Sequence, residues 1–167
     1  RVVPLEVAQD HKCVFDGDKG PNTGGMGSYS PVKKITSEII DEAMNEIMKP
    51  MASAMVKEGV PFTGFLYGGL MLTEKGIKTI EFNARFGDPE AEVILPRLES
   101  DFIQAILDLM DNKPVELKWT DKVSHGVVLA STNYPASSTK GSLITGVDDV
   151  DGLVFHMGTK MTDEGLV

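Results

Sequence analysis

The stretch Thr79-Ile80-Glu81-Phe82-Asn83-Ala84-Arg85-Phe86-Gly87-Asp88-Pro89-Glu90 decides how the chain is read. It begins with the alternation of a strand and ends with the signals of a helix start. Alternate side chains of a strand share a face, so Glu81, Asn83 and, if the strand persists, Arg85 point one way. Ile80 and Phe82 are expected to point the other way, into a core. A carboxylate and a carboxamide two residues apart set hard oxygen ligands about 7 Å apart along one face. That pair suits Mg²⁺, which takes one or two protein oxygens and completes its octahedron with water and nucleotide phosphate. Arg85 adds a planar fork for phosphate or carboxylate. An amphipathic strand with a merely solvated polar face has the same residues, and the strand alone leaves both readings open.

Working outward, Asp88 is expected to cap a helix with Pro89 at its first position, running through Val93, Ile94 and Leu98. Arg97 reads as a solvent-facing residue of that helix. Ser100-Asp101 caps a second helix over Phe102 to Met110, with apolar residues at 102, 103, 106, 107 and 110. On the other side, Thr63 to Leu72 reads as a strand that pairs as a hairpin with Ile77 to Asn83, across the turn Thr73-Glu74-Lys75-Gly76. Gly68-Gly69 inside it predicts close approach of a ligand or another backbone. Leu70, Met71 and Ile80 are candidates for an apolar slot that takes a flat ring, ordinary core packing being the alternative for each.

Before the hairpin, Ile40, Met44, Ile47, Met51 and Met55 recur at helical spacing from a cap at Thr36 or Ser37 to about Glu58. Pro50 predicts a kink or break within it. The methionines read as core filler. Ahead of this helix, Gly17 to Gly27 holds five glycines in eleven positions, with Pro21 and Asn22, and predicts no regular element. Such a run is either a flexible surface loop or a cradle of backbone N–H groups for an anion. It is neither a Walker A loop nor a GxGxxG fingerprint. Val2-Val3-Pro4-Leu5 is expected to end a strand.

Beyond Met110, residues 111–124 are polar and proline-containing and read as a linker, pinned by Trp119. After it, Gly126 to Ser131 reads as a buried strand, Tyr134-Pro135 as a turn, and Gly141 to Ile144 and Leu153 to His156 as short strands. The domain division expected is 1–112, a linker 113–124, and 125–167 as the start of a further module. His125 and His156 lack carboxylate or cysteine partners at metal spacing and read as structural.

The bulk numbers exclude several classes. A net charge of -9 and the absence of a Lys/Arg-rich run argue against a non-specific nucleic-acid binder. One cysteine, Cys13, cannot make an internal disulfide. No stretch approaches 18 apolar residues and no apolar leader opens the chain, so a cytoplasmic protein without a membrane role is expected. Arg1 is not a Met, and Val167 directly follows the turn signal Asp163-Glu164-Gly165. Both ends are expected to continue.

Four motifs together carry a resemblance: Gln9-Asp10-His11-Lys12, Gly20-Pro21-Asn22-Thr23-Gly24-Gly25-Met26-Gly27, Gly64-Phe65-Leu66-Tyr67-Gly68-Gly69-Leu70-Met71, and Glu81-Phe82-Asn83-Ala84-Arg85-Phe86-Gly87-Asp88-Pro89-Glu90. In this order and spacing they resemble the phosphoribosylamine–glycine ligases, an ATP-grasp family of purine biosynthesis. Tyr134-Pro135 with Phe155-His156-x-Gly158-Thr159 resembles the family's C-terminal domain. The fold implied is α+β: the C-terminal subdomain of an ATP-grasp core, an antiparallel sheet with flanking helices, followed by an incomplete small β-rich domain. The N-terminal and lid domains of the family are implied as missing partners of the same polypeptide.

The activity implied joins glycine to 5-phosphoribosylamine at the expense of ATP, through a glycyl phosphate. The resemblance implies Glu81 and Asn83 as ligands of Mg²⁺ or Mn²⁺, and Arg85 and Asp10 in catalytic roles. It further implies that Lys12, Asn22, Thr23, Gly24, Gly25, Met26, Gly27 and Asp88 bind substrate or phosphate, the loop presenting backbone donors, and that Leu70 and Ile80 pack on adenine. Three departures stand out. Tyr67-Gly68-Gly69 carries no acidic ligand where many ATP-grasp enzymes have one, leaving a second metal site unsupported. Cys13 stands where relatives usually carry Arg, and Thr132-Asn133-Tyr134-Pro135 replaces a more usual Gly-Tyr-Pro.

Overall fold

The computed structural model describes residues 1–167. Its centre is a three-stranded antiparallel sheet in the order β1-β4-β7, built from β1 (Gln9–Asp10), β4 (Gly27–Ser30) and β7 (Ser124–Val127). Gln9 faces Tyr29, and Tyr29 in turn faces His125, so segments from both ends of the sequence meet on β4. Between β1 and β4 a hairpin rises from β2 (Cys13–Phe15) and β3 (Lys19–Asn22). The expectation of no regular element after Gly17 is corrected there. Gly17 and Asp18 both take left-handed φ values, +73° and +58°, which match the twist of a tight antiparallel turn.

The long amphipathic segment forms α1 (Ser37–Ala43), a π-helical stretch Met44–Met48, and α2 (Lys49–Lys57). The break expected at Pro50 takes this form: Lys49 N donates to Met44 O, the wider turn falling just before the residue that has no N–H. Thr36 is the N-cap, without a side-chain capping bond. The helix stops where Gly59 N donates to Val56 O and Val60 N to Met55 O. Met44 is buried as expected of a filler residue.

The hairpin comprises β5 (Tyr67–Thr73) and β6 (Gly76–Asn83), starting four residues later than the sequence suggests. Tyr67 faces Asn83 and Gly69 faces Glu81, but Leu70 faces Thr79, so Ile80 is the extra residue of a β-bulge. The bulge resets the alternation, and Ile80 is 64% exposed rather than in a core. Phe82 is half-buried on the side of Gly68 and Leu70. That side meets the helix: a methyl group placed on Gly68 would lie 2.7 Å from Met48 Sδ, so the methionine packs directly over the glycine.

Past β6 the expected helix starts late. The turn Asp88-Pro89-Glu90 precedes α3 (Ala91–Ile94), whose N-cap is Glu90 and not Asp88, and a 3₁₀ turn Leu95–Arg97 completes it. Next, α4 (Phe102–Met110) is capped as expected, Asp101 accepting from Gln104 N at 2.9 Å. Only part of its apolar surface is covered, since Ile103, Leu107 and Met110 are exposed.

Arg97 overturns its sequence reading. It is 4% exposed and donates from Nε to Lys122 O, from Nη1 to Ser30 Oγ and Glu6 Oε2, and from Nη2 to Thr120 O, all at 2.7–3.0 Å. A buried guanidinium thus ties the chain before β1, strand β4 and residues 120–122 together. With Val93, Ser28 and Ser30 it forms the tightest part of the interior. The connector 111–124 is held by Glu99 N to Lys118 O, Thr120 N to Arg97 O and Lys118 N to Ser100 Oγ, with Trp119 bridged to Leu98.

Several expectations for the ends are corrected. Val2 to Leu5 is not a strand. The strand expected at 126–131 is Ser124–Val127, it belongs to the central sheet, and Val127 and Leu129 are 75% and 95% exposed. The division expected at 124/125 therefore cuts through that sheet. Gly141 to Ile144 and Leu153 to His156 form no strands. The elements there are a 3₁₀ turn, Val147–Asp149, and a small hairpin, β8 (Met161–Thr162) with β9 (Gly165–Leu166). No helix is long and apolar enough to cross a membrane.

Candidate functional site

Asp10 closes β1 against β4 and carries its carboxylate inward. The side chain is 9% exposed and forms an ion pair with Lys12, yet neither buried oxygen has an aligned hydrogen-bond donor. A buried carboxylate with open lone pairs is costly unless something else supplies donors. Lys12 also donates from Nζ to Gly24 O at 3.0 Å. The glycine loop thereby joins Asp10 through a shared lysine.

The loop itself is tightly bonded. Thr23 donates from both N and Oγ1 to Lys12 O at 2.8 Å, and Gly25 N donates to Thr23 Oγ1 at 3.0 Å. Met26 N donates to His11 O at 2.8 Å, and Gly24 N to the hydroxyl of Tyr134 at 3.1 Å. The backbone donors of Thr23, Gly24, Gly25 and Met26 are therefore committed inside the chain. The expectation that they form an open anion cradle is corrected: chain bonds have taken the N–H groups. Gly27 N lies at the head of β4, where His11 N donates to Gly27 O. Asn22, at the end of β3, accepts from Cys13 Sγ at 3.6 Å, away from Asp10.

What the loop supplies is close approach. A methyl group placed on Gly25, at φ +141°, would lie 2.3 Å from Pro89 Cδ and 2.8 Å from Asp10 Oδ1. Only glycine allows Asp10 and the Asp88-Pro89-Glu90 turn to come together at this point. Ser28 Oγ completes the joint with a 2.6 Å bond to Pro89 O.

Glu81 and Asn83 share their face of the hairpin with Tyr67 and Gly69 across the strand. Glu81 is exposed, whereas Asn83 Nδ2 is buried with no partner, so the fold's own bonding does not explain that carboxamide. No group of three or more His, Cys, Asp or Glu converges to hold a metal. A protein-only cage is thus lacking. One carboxylate and one carboxamide fit a hard divalent ion that draws its remaining ligands from water and phosphate. Arg85 is exposed just beyond, with Nη1 donating to Phe86 O at 2.6 Å. Behind it Phe86 stacks on Phe65 with ring centroids 3.9 Å apart, and Phe102 of α4 closes the cluster.

Tyr67 links these pieces. Its hydroxyl donates to Glu90 Oε1 at 2.7 Å, and Glu90 is 5% exposed. Burial, the bond to Glu90, and the charges of Glu90, Asp10 and Glu81 together push the phenol well above its usual range. Asp10 and Glu81 therefore lie about one tyrosine. Burial likewise raises the Glu92 carboxyl, helped by Asp88 and Glu90.

Leu70 is not brought to this face. Its Cδ2 leans toward Gly68 on the helix side, opposite Glu81, while Ile80 sits exposed at the bulge. Leu70 and Met71, adjacent on a regular strand, lie on opposite faces and form no common slot. Two concavities, of about 250 and 390 Å³, are elsewhere: one beside Trp119, Pro31 and Leu5, the other beside Arg1, Lys49 and Phe62. On the face of Glu81 the carboxylate itself is exposed, whereas Asn83 is half-buried. Sequence reasoning missed Tyr67, Glu90 and Tyr134. Tyr67 becomes visible once the register sets it opposite Asn83, whereas Tyr134, marked in the sequence only as part of a Tyr-Pro turn, gives no local sign of its bond to Gly24.

The model of the phosphoribosylglycinamide synthetase ATP-grasp (A) domain matches residues 1–91, the part that contains Asp10, the glycine loop, Glu81 and Arg85. The chain belongs to this family. Phosphoribosylamine–glycine ligase of Halalkalibacterium halodurans is 53% identical over 168 residues, 99% of this chain and 39% of that protein. The enzyme of the same name from Listeria innocua is 50% identical over 98% of this chain and 40% of its own length. The crystal structure of phosphoribosylamine–glycine ligase from Thermotoga maritima superposes with a TM-score of 0.77 at 36% identity, covering 97% of this chain and 40% of the other. The chain spans about two-fifths of the length of those relatives, and its mixed helix and antiparallel-sheet fold matches the Thermotoga structure. An ATP-grasp domain implies use of ATP.

Proposed function

We propose that this chain supplies the nucleotide–metal floor and the amine-substrate loop of a phosphoribosylamine–glycine ligase. The observation that carries the reading is the placement of Glu81 and Asn83 on one face, with the buried Asp10 carboxylate, paired to Lys12 alone, close enough to act on the same Tyr67. Family membership and the names of the relatives support the choice of reaction.

The reaction needs no protein nucleophile. A carboxylate oxygen of glycine attacks the γ-phosphorus of ATP, ADP departs, and a glycyl phosphate forms. The amine of 5-phosphoribosylamine then attacks its carbonyl carbon and expels phosphate, giving glycinamide ribonucleotide. Catalysis of such steps is positioning plus charge neutralisation.

Glu81 and Asn83 would hold Mg²⁺ or Mn²⁺ through one oxygen each. An ion held there would supply positive charge to neutralise the nucleotide phosphates. The exposed Arg85 guanidinium sits two residues beyond Asn83, in place to stabilise charge on the transferring phosphoryl group. Asp10, with Oδ2 paired to Lys12, offers its Oδ1 to the amine or hydroxyl groups of phosphoribosylamine. Lys12 acts mainly by holding Asp10 and Gly24, and residues Asn22 to Gly27 shape the substrate wall. Asp88, exposed at the turn, is a further acceptor for substrate donors, and Ile80 is the apolar residue left free for adenine.

The test is ADP release by the polypeptide that carries this chain, with each substrate omitted in turn. Release that requires both glycine and phosphoribosylamine is expected. Release indifferent to glycine would sink the assignment.

A further inference from the structure

Both backbone polar atoms of Gly24 are held by side chains from other segments. Lys12 Nζ donates to its carbonyl at 3.0 Å, and its N–H donates to the Tyr134 hydroxyl at 3.1 Å. Gly24 has no side chain and Gly25 follows it, so the loop has little intrinsic preference for one conformation and costs more to fix than ordinary residues. Thr23, Gly25 and Met26 are bonded on either side, and at Gly24 itself the geometry is set by these two side chains.

Tyr134 is itself fixed for the task. Asn133 before it takes φ +70°, Tyr134 N donates to Ser131 O at 3.2 Å, and Ser137 N donates to Asn133 O at 3.0 Å. The segment leaves the central sheet beside the same loop, where Val128 N donates to Met26 O at 2.9 Å. A methyl group on Gly24 would lie 3.5 Å from the Tyr134 hydroxyl, so the phenol is seated directly against the loop.

We propose that Tyr134 is a positioning residue: from the segment after β7 it fixes Gly24, and through Lys12 it sets the Asp10 carboxylate for the amine substrate. The inference rests on the ligase reading for its kinetic arm and on hydrogen bonding alone for its structural arm. The Gly24 carbonyl is one of two groups that hold Lys12 Nζ, the other being Asp10, so a loop released at Gly24 also releases the lysine. Glu81 and Asn83 are on a separate hairpin, so nucleotide binding should not feel the change.

The experiment is Tyr134→Phe in the full-length protein, which removes the acceptor oxygen and keeps the ring. Exchange of the Gly24 amide with solvent, read by NMR, should accelerate roughly two- to tenfold, the factor for one neutral hydrogen bond. The KM for phosphoribosylamine should rise by a similar factor, with the KM for ATP unchanged and the Tm lowered by no more than the loss of one neutral hydrogen bond requires. Unchanged Gly24 exchange overturns the proposal. Faster exchange or a lower Tm with an unchanged phosphoribosylamine KM makes Tyr134 a structural tie only, and overturns it too. If the unsubstituted protein lacks glycine-dependent ADP release, the ligase reading fails, while Gly24 exchange still decides whether the hydroxyl holds the loop.

Discussion

Tyr67 Oη donates to Glu90 Oε1 at 2.7 Å, and this bond joins the hairpin of Glu81 and Asn83 to the turn that Gly25 packs against. Two stretches that are contiguous in the sequence but separated by the change from strand to helix are thereby locked at a fixed angle. Tyr67→Phe removes the donor and leaves a nearly fully buried carboxylate oxygen without it. A loss of about 1–3 kcal/mol is expected, the cost of an unsatisfied buried acceptor. Equilibrium urea unfolding measures it; an unchanged midpoint would mean that water replaces the phenol at no cost.

Arg97 yields the largest expected stability effect. Arg97→Met strands Glu6, Ser30 and the carbonyls of Thr120 and Lys122, which now receive its donors. Removing one partner of a buried ion pair costs about 3–5 kcal/mol. Arg97→Lys should recover only part of that, because an ammonium cannot reproduce the planar fork. The comparison is of the three unfolding midpoints, and equal midpoints for Lys and Arg would show that charge alone matters.

Local signals were enough for the elements that are made locally. The β5–β6 hairpin, the disturbed helix at Pro50 and the Asp101 cap each depend on residues within a few positions of one another. The central sheet was not legible, because β1 has two residues and pairs with β4 20 positions on, and the other partner of β4 lies 94–100 positions further along. Arg97 was unreadable for the same reason: Glu6, Ser30 and Thr120 surround it only after the chain has folded. The single extra residue at Ile80 shows how little suffices to mislead. One bulge turned a residue expected in the core into an exposed one and left Glu81 and Asn83 in register with Gly69 and Tyr67. Around the candidate site, the hairpin that sets Glu81 and Asn83 on one face was legible. That the glycine loop uses its own N–H groups, and works by close approach, was not.

Glu81 and Asn83 should separate function from stability. Glu81 is exposed, so Glu81→Ala is expected to leave the Tm within the range of a surface change, about 0.5 kcal/mol, while abolishing Mg²⁺-dependent ADP release. Asn83→Ala removes a buried nitrogen that has no partner, and is expected to match or exceed the parent in stability while also losing metal dependence. Thermal unfolding and a Mg²⁺ titration of turnover check both. Retained metal response in either variant would remove that residue from the ligand set.

The Glu92 carboxyl gives the pH prediction. Burial raises its pKa, with the charges of Asp88 and Glu90 adding to the shift, and its Oε2 is buried without a partner. The folded state thus binds this proton more tightly than the unfolded chain does. The favourable contribution is complete below the ordinary carboxylate pKa and is lost as pH rises through the raised folded value. Above that value the folded protein carries a poorly solvated charge. Glu92→Gln cannot ionise, so it should be more stable than the parent at neutral pH, and the advantage should shrink as pH falls into the carboxylate range. Tm measured across that range for both proteins decides it. Parallel curves would show that Glu92 titrates alike in the folded and unfolded chains, and that solvent reaches its carboxylate freely.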